Sequence, residues 1–411
     1  MIRHICVRLH RWAGLTMTIF LVVVGLSGAA LAFREDIDVW LNADLMAIEP
    51  RDAPTLDPLD LRERAEAARP DLRFDSAELR IDPDRTFAIP GHSRQASTQD
   101  AEPTQFFLDP YTGAVVGERT PDIAPFSRRG IVSFLYRLHW SLALPEATGA
   151  LGPYVLGVVA LVWTIDCFIG VYLTLPLPRR APSAKSWWAR WSPAWRIKRG
   201  ADAYRINFDI HRAFGLWAWA MLLVYAWSGV MFNLQEVYRP VTAGLLGLSP
   251  QQEEAEAARI DAPALGWRDA REKGRAHLEA AARANGFSID ALQWLVFDRK
   301  RGVYQMFARS SLDTERRTRT FVDLDAETGA LRRVSWPGRP GERAGDVVSR
   351  WLDMLHTAVV FGLPYKILAC AMGFVITALS LTGVCIWWKK RSARDASERR
   401  GRHAETRVLS R

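Results

Sequence analysis

Leu9-His10-Arg11-Trp12-Ala13-Gly14-Leu15 and Ile210-His211-Arg212-Ala213-Phe214-Gly215-Leu216 say nearly the same thing, once in each half of the chain. Each opens a long apolar run that later holds Ser-Gly, first as Ser27-Gly28 and again as Ser228-Gly229. A second pair completes the repeat. Leu138-His139 and Leu355-His356 each precede an apolar segment with a late glycine, Gly170 in Ile169-Gly170-Val171 and Gly383 in Thr382-Gly383-Val384. The pattern implies a duplicated membrane module with one histidine near every span, and hence two bis-histidine sites at two depths.

The 411 residues suffice for two or three domains. Apolar residues concentrate in four runs, 13–33, 154–175, 214–234 and 365–388, each near the ~20 residues that cross a hydrocarbon core as a helix. The polar segments between them, 34–129 and 235–350, are each large enough for a small folded domain. The first run also reads as a signal peptide, with Arg3, Arg8 and Arg11 as its basic end and Ala30-Leu31-Ala32 as its cleavage site. It is longer than the ~7–15 apolar residues such a peptide needs. The same pattern also recurs at His211, where no signal peptide can sit, so we read it as a span.

Charge gives the orientation. Residues 1–11 carry three arginines and no acid; residues 177–207 carry eight basic residues against Asp202; residues 389–411 carry nine against three acids. Together these segments hold +16, which leaves the rest of the chain at −7 within the overall +9. The positive-inside bias thus places both termini and the 177–207 loop in the cytoplasm and both polar domains outside, in the periplasm of a bacterial inner membrane. The basic balance reflects topology; no nucleic-acid-recognition module accompanies it. Tryptophans at 187, 188, 191, 195, 387 and 388 read as an interfacial belt against membrane lipid. The four cysteines, Cys6, Cys167, Cys370 and Cys385, avoid the polar domains, so structural disulfides are not expected. No Cys-x-x-Cys-His is present for covalent haem attachment.

The repeat continues into the polar segments. Phe107-Leu108-Asp109-Pro110-Tyr111-Thr112-Gly113-Ala114-Val115 matches Val322-Asp323-Leu324-Asp325-Ala326-Glu327-Thr328-Gly329-Ala330-Leu331, and both read as strand, tight Asp-x-x-Thr-Gly turn, strand. A helical pattern lies upstream of each, at 59–68 and 267–285, followed by a strand at 77–81 and 292–297. Each half therefore carries a small α+β unit, without a metal-binding or catalytic cluster; His92 and His277 stand alone as surface residues.

His-Arg-x-x-Gly-Leu with a later Ser-Gly, the Asp-x-x-Thr-Gly turns and the Leu-His before spans two and four, in order and twice, make the chain resemble the PepSY-associated transmembrane proteins over residues 3–391. The resemblance implies a membrane α-helical fold, a four-span helix bundle from an internal duplication with two small periplasmic α+β PepSY-like domains. Its layout is span one at 1–33, the first periplasmic domain at 34–130, and an interfacial helix with span two at 131–177. A basic loop at 178–207 and span three at 208–234 follow. The second periplasmic domain is 235–347, an interfacial helix with span four is 348–390, and a basic tail is 391–411. The family is associated with iron and siderophore uptake, and the likeness implies haem-dependent reduction of a ferric siderophore in the periplasm. Some members carry a fused flavin reductase; here a short basic tail follows Lys390, so the electron donor, a quinol or a flavoprotein, stays open.

An ionisable residue at membrane depth is a functional candidate by default. His10 and His211 fall at the cytoplasmic level. His139 and His356 fall at the periplasmic level, each on a short interfacial helix that breaks before its span, because Pro145, Gly149, Gly152 and Pro153, and likewise Pro364, interrupt the path. The 23 steps from His10 to Phe33 cover about 35 Å at ~1.5 Å each, so the levels are well separated. Two imidazoles per level do not complete a tetrahedral zinc or copper site. They do supply both axial ligands of a haem, which suits electron transfer. We therefore expect two haem b groups, held by His10 with His211 and by His139 with His356; replacement of one outer ligand by Met231 or Met354 is a lesser option. Arg11 and Arg212 beside the inner pair, and Arg137 and Arg350 near the outer pair, are candidates for haem propionates; positive-inside anchoring explains Arg11 and Arg212 as well. Gly14, Gly25, Gly28, Gly215 and Gly229 allow close approach of a helix or a porphyrin.

The expectation is a haem b-dependent inner-membrane reductase that passes electrons to a periplasmic ferric siderophore, with no side chain doing acid–base catalysis. Two rival readings stand beside it. One is a non-enzymatic membrane protein that binds a peptidase or a siderophore. The other is an iron or siderophore transporter, against which the spans offer little intramembrane charge beyond Asp166.

Overall fold

A computed structural model of the chain describes all residues except 95–102, 121–123, 178–184, 251–259, 314–319 and 410–411. Part of the basic loop and the end of the basic tail therefore lie outside the described residues. Helix α1 (Ile2–Leu31) is followed by α2 (Arg34–Leu41), α3 (Ala43–Met46) and α4 (Pro58–Ala68). Strands β1 (Leu72–Arg73), β2 (Ser76–Glu78), β3 (Phe87–Ser93), β4 (Thr104–Leu108) and β5 (Val115–Arg119) come next. Then α5 (Ile131–Ser141), α6 (Leu151–Thr174), α7 (Trp187–Trp191), α8 (Ala203–Trp217), α9 (Trp219–Asn233), α10 (Gln235–Leu246) and α11 (Trp267–Asn285) lead to the second set of strands. These are β6 (Ile289–Asp298), β7 (Val303–Ser310), β8 (Thr320–Asp325) and β9 (Leu331–Ser335), and α12 (Ala344–His356) and α13 (Gly362–Leu409) end the chain.

Among the described residues, α1, α6 and the Gly362–Ala396 part of α13 are each long and apolar enough to cross a membrane, and α8 with α9 makes a fourth span if the bent pair counts as one. This is a membrane protein. Helix α1 packs along α13 and α6, α9 along α6, and α8 against α13. The α1–α13 crossing is close because Gly25 and Gly373 face each other: a Cβ on Gly25 would lie 2.8 Å from the Gly373 carbonyl oxygen. At the end of α6, Arg3 donates to the Leu173 and Leu175 carbonyls (2.6 and 3.3 Å), which satisfies the unpaired C-terminal acceptors with a positive charge.

Span three differs from the single run expected at 208–234. It is two helices with a 70° bend between them, and no proline lies at the break. The bend falls at Trp217-Ala218-Trp219, where Trp217 stays exposed and Trp219 Nε1 donates to the Cys167 carbonyl at 3.1 Å. Helix α8 is tied separately by Asp209, fully buried, which accepts from the Lys198 amide, Arg205 and Arg212. Two anchors pulling on adjoining segments hold them at different tilts, which hydropathy alone does not register.

Both histidine-bearing short helices, α5 and α12, end in a sharp turn ahead of their span. Leu142 and Ala143 after α5 (φ 59° and 50°), and Ala358 and Phe361 after α12 (φ 53° and 57°), sit in the left-handed region although none is glycine. Such strain persists only where packing imposes it. Here the strained residues lie between each histidine helix and the span that follows.

The polar segments form two antiparallel sheets, ordered β1-β3-β4-β5 and β2-β6-β7-β8-β9. Helix α4 covers the first over Leu61, Ala65, Phe74, Ile89 and Phe106, and α11 covers the second over Leu278, Leu295, Met306 and Leu324. The two Asp-x-x-Thr-Gly turns close alike. Asp109 Oδ1 accepts the Tyr111 and Thr112 amides, Asp325 Oδ1 accepts the Glu327 and Thr328 amides, and Gly113 and Gly329 supply φ of 72° and 71°. Hydrogen bonds from Arg332 and the turn amides hold the Asp325 carboxyl well below the usual carboxylate range.

The expected strand at 77–81 is shorter and leaves its own sheet. Strand β2 pairs with β6 of the other domain, Ala77 opposite Leu295, so the two domains share one sheet. Ionic contacts reinforce the exchange: Arg299 holds Asp75 at 3.0 Å, Arg271 holds Asp57 at 2.7 Å, and the Arg62 guanidinium lies 4.0 Å over the Trp267 ring. Glu78, at the end of this shared strand, has its carboxyl pushed up to about 7 by burial and by nearby Asp82. Between the ordinary value of 4.5 and about 7 the folded chain holds a proton that the unfolded chain has released, so stability falls as pH rises through that window. Glu78→Gln is expected to flatten the fall in Tm across the window. An unchanged slope would remove Glu78 as its source.

Candidate functional site

The fold brings the four repeat histidines together in two pairs. The His10 and His211 rings, on α1 and α8, have centroids 6.1 Å apart and planes at 62°. The His139 and His356 rings, on α5 and α12, have centroids 6.0 Å apart and planes at 68°. Ser27, which touches His139, lies 17 residues after His10 on α1, so the pairs sit at two levels roughly 25 Å apart along that helix.

At each histidine the hydrogen bonds define which nitrogen is left over. Ser27 Oγ donates its one proton to the Val23 carbonyl (2.7 Å), so the 3.0 Å contact with His139 Nδ1 must be donated by the imidazole. Ser228 Oγ likewise donates to Val224 (2.7 Å) and accepts from His356 Nδ1 at 2.6 Å. His211 Nδ1 faces the Leu379 carbonyl at 3.0 Å, which can only accept, and Thr382 Oγ1 at 3.1 Å. His10 Nδ1 donates to Asp166 Oδ1 at 2.8 Å. All four imidazoles thus have Nδ1 engaged, which leaves Nε2 as the nitrogen open to a ligand, the arrangement an outer-shell acceptor imposes on a metal-ligating histidine.

The dimensions suit a ligand between the rings. A metal held by two imidazole nitrogens at about 2 Å each separates the ring centres by roughly 6 Å. Glycines keep the space beside the rings clear: a Cβ on Gly28 would lie 2.9 Å from His139 Cε1, on Gly383 3.3 Å from His211 Cε1, and on Gly170 3.7 Å from His10 Cε1. An apolar cleft of about 220 Å³ is lined by Ile210, Phe214, Phe374, Val375, Ala378 and Leu379, the last of which meets His211 through its carbonyl. At the other level Tyr225 and Phe232 meet the His356 ring edge-on at 5.5 and 5.1 Å. Among the described residues, no group of three or more His, Cys, Asp and Glu is placed to hold a metal ion. Each level offers two nitrogen donors and apolar walls.

The arginines divide. Arg212 is engaged by Asp209 and the Pro193 carbonyl, both at 2.8 Å, contacts that anchor α8. Arg350 pairs with Glu342. Arg11 and Arg137 are half-buried beside His10 and His139. Met231 and Met354 are buried in separate apolar clusters. Of the glycines singled out by the repeat, Gly28 meets a histidine, Gly25 and Gly229 meet neighbouring helices, and Gly14 and Gly215 meet almost nothing.

Asp166, Ser27, Ser228 and Thr382 were not legible as histidine partners. Signals for three of them lie in the sequence: Asp166 is the one acid in the four apolar runs, and Ser-Gly recurs 17 residues after His10 and after His211. Asp166 stands four residues before Gly170, as Leu379 stands four before Gly383, so equivalent positions serve His10 and His211 with a carboxylate and a backbone carbonyl respectively.

Fold and site together define a multi-helix membrane protein with two stacked histidine pairs and a joined pair of polar sheet domains. The model of the PepSY-associated TM region family matches residues 7–390, and the chain belongs to that family. No curated protein matches it.

Proposed function

We propose that this chain is a haem b-dependent reductase of the bacterial inner membrane, with both termini in the cytoplasm and both sheet domains in the periplasm. The observation that carries the reading is the doubled arrangement of two imidazoles about 6 Å apart, each with Nδ1 engaged and Nε2 presented. His10 with His211 would hold one haem and His139 with His356 the other. When bound, such a group would supply one-electron chemistry. The chain's own residues do the rest. Ser27, Ser228, Asp166 and the Leu379 carbonyl fix ring orientation, Gly28, Gly170 and Gly383 leave room beside the rings, and Arg11 and Arg137, next to His10 and His139 in the chain, would pair with propionates. Trp163, Leu222, Met372 and Ile376 fill the bundle between the levels and exclude water. The equivalence of contacts in the two halves favours an internal duplication.

The oxidant on this reading is a ferric siderophore at the periplasmic face. Each ferric ion takes one electron, and the ferrous product leaves a hard oxygen chelator more readily. The electron donor is a quinol or a flavoprotein. Anaerobic protein reduced with dithionite should be reoxidised on adding a ferric hydroxamate chelate, with ferrous iron appearing in a colorimetric trap. Protein that stays reduced with every ferric chelate tried would remove the substrate and leave the cytochrome.

A further inference from the structure

The two levels are not equivalent: one of them has an anionic partner. Both histidines of the His139–His356 pair donate to serine hydroxyls, and His211 donates to a carbonyl and a hydroxyl; all these acceptors are neutral. His10 alone donates to a carboxylate, Asp166 Oδ1 at 2.8 Å, whose side chain is 11% exposed. The repeat puts Leu379 where Asp166 stands, so the anion is present in one half of an otherwise matching arrangement.

We infer that Asp166 makes the His10–His211 level the lower-potential of the two, so that an electron passes from it to the His139–His356 level downhill. The inference rests on the haem reading above. A carboxylate drawing on the Nδ1 proton raises the electron density of the imidazole, and a more basic ligand stabilises the oxidised metal over the reduced one. The negative charge itself acts in the same direction, and low-dielectric surroundings strengthen it. Serine hydroxyls exert far less of either effect. One electron leaves the lower-potential level, which is oxidised, and enters the higher-potential level, which is reduced. A quinol or reduced flavoprotein refills the first, and a ferric chelate drains the second as Fe³⁺ becomes Fe²⁺. No bond in the chain is made or broken. Asp166 acts through His10 and is a positioning residue, not a catalytic one.

The test is an optical redox titration of the haem-loaded full chain and of Asp166→Asn. Two one-electron components are expected in the native protein. In Asp166→Asn the lower one should rise by at least a tenfold change in its equilibrium, about 59 mV, while the upper one stays. A second measurement does not depend on that variant loading haem: in His356→Ala the surviving component should be the lower of the native two. Two components that Asp166→Asn leaves in place, or a survivor in His356→Ala with the higher potential, would overturn the inference and leave the haem reading standing. A chain that takes up no haem at all would overturn both.

Discussion

Replacing His356 with alanine should halve the haem content of the purified protein, from two per chain to one, and should leave the helical circular dichroism unchanged. His356 supplies one of the two nitrogen donors at its level, opposite His139 with ring centroids 6.0 Å apart. Its ring is seated by Ser228 and by Tyr225 and Phe232, so alanine leaves an apolar gap with a single donor. Large-to-small changes of this kind cost a few kcal/mol, which a bundle held by α1, α6, α9 and α13 can absorb. His211→Ala should remove the other half. The two variants should therefore lose different components of the spectrum. Loss of the same component from both would show that the histidines do not act as two separate pairs.

Gly28→Val is expected to empty the His139–His356 level without touching any ligand. Even a Cβ at this position would lie 2.9 Å from His139 Cε1, closer than carbon atoms pack, and valine adds two methyl groups. The obstacle is on the rigid backbone of α1, next to Ser27, whose hydroxyl accepts from the same ring. Overpacking costs about 1–3 kcal/mol, and here it falls on the ring's orientation, so its Nε2 is turned out of place. Gly244→Val, at an exposed position of α10, is the control, because nothing lies within 4 Å of its Cβ position. Equal haem content in the two variants would show that the close approach at Gly28 does not govern the site.

Much of this arrangement was readable in the chain itself. The repeat of His-Arg-x-x-Gly-Leu and of Leu-His predicts which histidines lie side by side, because matching positions in two similar stretches are expected at matching depth. The Asp-x-x-Thr-Gly turns were readable because an Asx turn closed by a positive-φ glycine is a local device. The helices expected at 59–68 and 267–285 correspond to α4 and α11 for a similar reason: local periodicity determines them. What was not readable depends on contacts distant in the chain. Strand β2 reads as part of its own domain, and only the edge of β6 draws it into the other sheet. The bend at Ala218 goes with contacts to other elements, Asp209 with the Lys198 amide and Trp219 with the Cys167 carbonyl. Asp166 and the two serines carry no local mark of their histidine partners, which lie 112 to 156 residues away.

The central claim is that each histidine pair holds a haem, and the most direct test is the haem-to-protein ratio of the full chain purified from haem-replete cells, read from its dithionite-reduced minus oxidised spectrum. The expected result is b-type bands and two haems per chain. A flat spectrum from folded, haem-replete protein would contradict it and leave the two joined sheet domains as the functional part of the molecule.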